Sequence, residues 1–289
     1  MKTHKIEPVD LELLREFGVY LTTREERDSY RKIVHTRIDD FDLEHFDSRY
    51  LPVRESSNYR QRKNKIGYLW MSKFNKLRAF ESLLEQTILL DLDRDEEVHR
   101  VWTQPFRIEG LDPNRGNRRV YPTPDILVEY TNGELELIEV KPEHKLKRPQ
   151  RAAHRGNDEA FDRATKSWKR LQRSLHYQRN AFKDLGWKVS TRSELSAERR
   201  ANLEYLSLYR RPLPNKDNLA DEVLKQASSG AMRLVDLAAK VPGGFVSAMP
   251  VILHLVWHHQ LEININQRLF ESSFVYLPYS PQQPMLAAA

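Results

Sequence analysis

The 289-residue sequence contains no cysteine. Disulfides, thiolate zinc sites, iron–sulfur clusters and a cysteine nucleophile are therefore excluded. Long apolar runs are also missing: no stretch approaches the ~20 residues of a membrane-spanning helix. The opening Met-Lys-Thr-His-Lys-Ile-Glu-Pro carries no apolar segment of the secretory kind. Together these absences set the expectation of a cytoplasmic protein with no membrane partner. Glycine is scarce, at ten residues, and no Gly-x-Gly or Gly-Lys-Ser/Thr spacing occurs. No nucleotide loop, and hence no ATP use, is expected, and there is no serine nucleophile elbow.

What is present describes a folded, soluble chain, with 39% hydrophobic and 30% charged residues. The length suits two ordinary domains. The net charge of +6 permits a nucleic-acid partner without demanding one. Its distribution says more. Residues 1–140 are net −4, residues 141–173 carry eleven basic against four acidic side chains, and residues 174–289 are net +3. That middle stretch, interleaved with Phe161, Trp168 and His176, reads as a phosphate-binding surface rather than an ordinary solvated face.

Periodicity gives the outline. The first ~65 residues show no firm period and read as an irregular arm with one helix near Asp10 to Glu16, and five basic residues lie between Arg54 and Lys65. A helix is expected over 76–92, with Leu77, Phe80, Leu84 and Ile88 on one stripe, closed by an acidic loop from Asp91 to Glu97. Strands are expected over 98–108, 126–130 and 135–141, with Asn114 to Asn117 and Thr131-Asn132-Gly133 as turns. A long helix follows from Asn157 to Leu185, with Gly186 in the C-cap position, then a short strand from Trp187. Arg210 to Asn215 breaks the chain. Beyond it, three helical patterns and two short strands surround the turn Val241-Pro242-Gly243-Gly244, in the order of a winged helix.

The chemistry is concentrated at Pro124-Asp125 and, fourteen residues after the Asp, Glu139-Val140-Lys141. Strand alternation puts Glu139 and Lys141 on one face and Val140 on the other. Two carboxylates and a lysine on one sheet face suit metal-dependent phosphodiester cleavage: the carboxylates bind Mg²⁺ and the lysine orients a water. Register decides whether Asp125 joins them. A two-residue Asn132-Gly133 turn places it opposite Val140, on the wrong face. A three-residue Asn132-Gly133-Glu134 loop, or an equivalent bulge, places it opposite Lys141, and this is the expectation. Glu81 and Glu85, four apart, share a face of the expected helix.

At these residues the sequence resembles the PD-(D/E)xK nucleases, and more narrowly the TnsA endonucleases of heteromeric transposons. The resemblance runs through Glu81-Ser-Leu-Leu-Glu85, Gln104-Pro105-Phe106, Tyr121 to Val128 and Ile138-Glu139-Val140-Lys141-Pro142. It resumes at Gly186-Trp187 and Asn202 to Leu206. It implies a restriction-endonuclease-like mixed sheet flanked by helices, followed by an all-α or winged-helix domain. The resemblance covers about residues 75–210 and the first 70 match nothing in the family; the expected organisation is an arm with early helices over 1–70, the nuclease core over 71–196 and a linker over 197–215. A winged-helix domain for DNA and partner contact follows over 216–280, then a disordered tail over 281–289.

Carried over by residue, Glu85, Asp125 and Glu139 become ligands of Mg²⁺, with Mn²⁺ able to substitute. Lys141 becomes the catalytic lysine, and Glu81 an alternative helix ligand. The resemblance implies cleavage of the 5′, non-transferred strand at transposon ends, beside a TnsB-type transposase and a TnsC-type AAA+ regulator, in a bacterial cytoplasm. Lys145, Lys147, Arg148, Arg151 and Arg155, just after the catalytic strand, are the candidate DNA contacts. The competing readings are a restriction or repair nuclease of the same superfamily and a catalytically idle DNA-binding assembly subunit. His254, His258 and His259 read as satisfied helix-face side chains rather than a zinc site, because no third ligand or following Glu accompanies them.

Overall fold

Helix α1 (Leu11–Phe17) begins where the Asp10 carboxylate accepts the Glu12 amide, a polar N-cap. The computed structural model describes residues 7–27, 30–54, 64–154, 157–213 and 217–278. The chain separates into two units. The first comprises 1–70, 77–88 and 96–194, and the second 71–76, 89–95 and 195–289.

After α1, and in place of the rest of the expected irregular arm, the first unit continues with an antiparallel hairpin of β1 (Tyr20–Arg27) and β2 (Tyr30–Arg37). Helix α2 (Leu43–Arg49) and the short β3 (Tyr50–Leu51), which pairs with β1, follow. The hairpin shows no apolar period because, beside Tyr20 and Leu21, it buries Thr22, Thr23 and Glu25. Partners make that burial tolerable. Thr22 donates to the fully buried Glu109 (2.5 Å), which also accepts the Val9 amide (2.9 Å) and the Arg107 guanidinium.

Strands β4 (Gly67–Met71) and β5 (Lys76–Phe80) form a second hairpin. The single helix expected over 76–92 is therefore two elements: β5, then α3 (Leu83–Arg94). Ser82 starts the helix by accepting the Glu85 amide (3.1 Å), and Glu85 reaches back to the Ser82 hydroxyl (3.0 Å) and the Glu81 amide (2.8 Å). This Ser-x-x-Glu pairing is a capping box, a readable start signal that outweighs the apolar stripe. Glu81 lies outside the helix, so it does not share a helical face with Glu85.

The strand expected over 98–108 is likewise divided. Strand β6 (Val98–Thr103) ends at Gln104, which takes a left-handed backbone (φ 49°), and β7 (Arg107–Asp112) leaves for another sheet. Pro105 in this step can donate no ladder hydrogen bond. β7 pairs with β1 and with β8 (Arg118–Val120), giving the order β2-β1-β7-β8. β6 pairs with β9 (Ile126–Tyr130), which pairs with β10 (Leu135–Val140). After the short α4 (Glu143–Leu146) and long α5 (Asp158–Ala181), β11 (Lys188–Arg192) adds parallel to β10. The resulting sheet, β11-β10-β9-β6, is mixed. This is a mixed α/β architecture compatible with a restriction-endonuclease-like domain.

Helix α5 stops at Ala181, before the expected Leu185, because Phe182 turns into the core. There it stacks on Trp187 (4.8 Å) and Phe106 (6.0 Å). Gly186 (φ 72°) closes the turn after the helix rather than capping it. Where β7 meets α5, the Tyr177 hydroxyl lies 1.9 Å from the position a Cβ on Gly110 would take. Gly110→Ala is expected to destabilise the protein by about 1–3 kcal/mol through overpacking, read as a lowered urea midpoint.

The second unit includes the β4–β5 turn, where the buried Asp93 accepts the Ser72 and Lys73 amides (both 3.0 Å). Residues 197–206, expected as linker, form helix α6 (Ala197–Leu206), with Leu203 and Leu206 buried. The Asn202 amide group donates to the Ile265 and Gln267 carbonyls. Then come α7 (Asp217–Ala227), β12 (Met232–Arg233), α8 (Leu234–Lys240) and α9 (Gly244–Trp257), followed by β13 (Glu262–Ile263) and β14 (Phe274–Tyr276). The three strands form an antiparallel sheet in the order β12-β14-β13. Gly243 (φ 82°) and Gly244 (φ 61°) make the tight turn between α8 and α9. Residues 281–289, expected as a tail, lie outside the described residues. Among the described residues no single helix is long and apolar enough to cross a membrane.

Candidate acidic active site

The site is built on the β9–β10 hairpin. The register pairs Glu129 with Leu135 and Ile126 with Ile138, so Asp125 stands next in line, opposite Glu139. The loop is Thr131-Asn132-Gly133, closed by the Tyr130 amide donating to the Glu134 carbonyl (2.9 Å). This corrects the expected Asn132-Gly133-Glu134 loop and the Asp125–Lys141 pairing. The difference is two residues, one full strand period, so Asp125 still shares a face with Glu139 and Lys141.

The Lys141 ammonium joins the group. It donates to Asp125 Oδ2 (2.7 Å), Glu139 Oε1 (2.8 Å) and the Val140 carbonyl (3.1 Å). Asp125 is 7% exposed, and its Oδ2 also accepts the Val140 amide (2.8 Å). Burial alone would lower the Lys141 pKa, but the Asp125 and Glu139 carboxylates outweigh it and hold the pKa above its ordinary value. The lysine is thus a fixed cation, unsuited to accepting a proton. Glu139 is pushed up, by burial first and by Asp125 second, against Lys141.

Glu85 faces the same electrostatic environment from α3. Burial, then the Asp125 charge, raise its pKa to about 7, despite the hydrogen bonds from Glu81 N–H and Ser82. The folded pKa lies above the unfolded one, so folding takes up a proton between about pH 4.5 and 7. Stability from this group is therefore full at acid pH and lost as pH rises through 7. Glu85→Gln should flatten that part of the metal-free stability–pH curve, measured by urea unfolding from pH 5 to 8. An unchanged slope would remove Glu85 as its source.

Three hard oxygen donors with one lysine, and no sulfur or imidazole, make a donor set suited to Mg²⁺ or Mn²⁺. The raised pKa values of Glu85 and Glu139 come first from burial and then from the neighbouring Asp125 charge. The Asp125 charge acts on both Glu85 and Glu139, so the carboxylate chemistry of the site is centred on Asp125.

Arg54 escapes the sequence reading except as part of a basic run. Its guanidinium lies 3.9 Å from Glu81 Oε2, and its charge is felt at Glu139. Of the expected DNA contacts, Lys145 and Arg148 are exposed. Lys147 pairs with Glu143 (2.7 Å), while Arg151 lies over the Phe161 ring and 3.7 Å from Asp158. Arg155 falls outside the described residues. The histidines of the second unit donate to backbone carbonyls: His254 to Tyr209, His258 to Arg210 and His259 to Arg94.

Residues 95–194 match the family model described as TnsA-like endonuclease N terminal. No curated protein matches the chain. The matched stretch contains β9, β10 and the ammonium-bridged Asp125, Glu139 and Lys141, and its similarity to the TnsA-like endonuclease domain supports a TnsA-type endonuclease.

Proposed function

We propose that the protein is the Mg²⁺-dependent endonuclease subunit of a heteromeric transposase. It cuts the 5′, non-transferred strand at transposon ends and so completes double-strand excision. The observation that carries this reading is the single ammonium bridging Asp125 and Glu139 inside the TnsA-like stretch, with Glu85 close enough to feel the Asp125 charge. A divalent ion held by Glu85, Asp125 and Glu139 supplies a polarised phosphate and a more acidic water. Lys141, fixed by both carboxylates, offsets their charge beside the ion.

DNA is the substrate, and the basic surface supports it. On α5, Lys166, Lys169, Arg170 and Arg173 are exposed and unpaired among the described residues, with Lys166 and Arg170, and Lys169 and Arg173, four residues apart. With Lys145 and Arg148 they form a backbone-tracking surface; Lys147 and Arg151 extend it once DNA displaces Glu143 and Asp158. The second unit acts as a winged helix: its order α7, β12, α8, α9, β13, β14 and three-stranded sheet support that reading. Its partners are a TnsB-type transposase and a TnsC-type AAA+ regulator, in a bacterial cytoplasm.

The test uses a duplex with a labelled transposon end in Mg²⁺, with and without those two partners. Partner-dependent 5′-strand cuts that vanish with EDTA are expected. Cutting of plain plasmid by the chain alone would instead make it a restriction or repair enzyme. Bound DNA left uncut under every condition would make it an idle assembly subunit.

A further inference from the structure

A site of clustered carboxylates repels the phosphodiester it must cut, and its lysine cannot remedy this alone. An ammonium has three N–H donors, and those of Lys141 are committed to Asp125, Glu139 and the Val140 carbonyl. The divalent ion proposed above takes one phosphate oxygen, and a guanidinium beside it can grip the others.

Arg54 is placed to do so. The preceding Val53 is buried, and its amide donates to the Gln104 carbonyl (3.0 Å). The Gln104 amide in turn donates to the Asp125 carbonyl (2.7 Å). Two backbone hydrogen bonds therefore tether Arg54 to the strand end that presents Asp125. Its side chain is 48% exposed, and its approach to Glu81 is 3.9 Å, an ion pair beyond hydrogen-bond length. Its donors are uncommitted among the described residues. A guanidinium presents five donors in a planar fork that matches a phosphate in two-point fashion.

We propose that Arg54 binds the phosphate of the DNA strand being cut, swinging from Glu81 to the non-bridging oxygens as the duplex docks. This inference rests on the nuclease reading above. It assigns a role to the left-handed Gln104 step: the backbone that ends β6 also anchors the arginine beside Asp125.

The experiment compares wild type, Arg54→Ala and Arg54→Lys as full chains, in the partner-containing assembly and with the labelled transposon-end duplex. Single-turnover cleavage is read at saturating DNA in Mg²⁺. Affinity for a random-sequence 30-base-pair duplex is read in Ca²⁺ across a salt series, and thermal melting reports folding. Arg54→Ala should cut about a hundredfold more slowly with unchanged melting. Its salt slope should fall by about one. Added guanidinium should partly restore its rate, and Arg54→Lys should keep more activity than Arg54→Ala. Wild-type rate and slope in Arg54→Ala would overturn the proposal alone, as would a rate loss matched by lowered melting in both variants. A wild type that neither binds nor cuts DNA would overturn the nuclease reading and the proposal with it.

Discussion

Asp125→Asn is expected to slow metal-dependent DNA cleavage by about a thousandfold or more while leaving the protein folded. Asp125 is the point on which the cluster turns: Oδ2 accepts both the Val140 amide and the Lys141 ammonium, and its charge adds to burial in raising the pKa values of Glu85 and Glu139. The asparagine keeps a carbonyl oxygen for Val140 but removes the anion. Lys141 then loses one of its two carboxylate anchors, and a hard cation loses a charged ligand. Asp125→Ala is the less informative change, because it leaves the Val140 amide buried without a partner at a cost of about 1–3 kcal/mol. Cleavage under single-turnover conditions and urea unfolding, run on the same preparation, separate the two effects. An asparagine variant cutting within tenfold of wild type would take Asp125 out of the chemistry.

Phe106→Ala should destabilise the protein by about 3–5 kcal/mol, a large part of an ordinary domain's total stability. Phe106 is fully buried, with ring centroids 5.6 Å from Phe41, 6.0 Å from Phe182, 6.3 Å from Trp187 and 6.4 Å from Phe46. Truncation would leave an aromatic-sized cavity between rings contributed by two separate parts of the chain. It would also loosen the Gln104 step, whose amide and carbonyl link Asp125 to Val53. Phe106→Leu should cost less, because more of the volume is retained. The measurement is the urea midpoint of the first unit's fluorescence transition. A shift equivalent to under about 1 kcal/mol would show that the Gln-Pro-Phe segment does not hold the core.

The distinction between those two residues bears on what a motif means. Both belong to the pattern that suggested a TnsA-type nuclease, yet only Asp125 touches the acidic cluster. Gln104-Pro105-Phe106 acts through the backbone and the core: it breaks the strand, redirects β7 to a second sheet and brings Val53, and with it Arg54, beside Asp125. Likewise Ser82 and Glu85 are a helix start as well as part of the site, since the same carboxylate that faces Asp125 also caps α3.

The sequence by itself determined the chemistry available: no thiol, hence oxygen donors, and an Asp and a Glu-x-Lys whose strand alternation forces Glu139 and Lys141 onto one face. It also carried the family pattern and the early helix cap at Asp10. Local rules of this kind are written into neighbouring residues. Only the tertiary structure decided the rest. The hairpin register put Asp125 opposite Glu139 rather than Lys141, because the turn closed one residue earlier, at Tyr130 and Glu134. The front of the chain became a sheet because Thr22 is satisfied by Glu109, 87 residues away, and so buries without an apolar signature. Arg54 reached the site for the same reason. Its place depends on hydrogen bonds from Val53 to Gln104 and from Gln104 to Asp125, contacts between distant segments that no local spacing can encode.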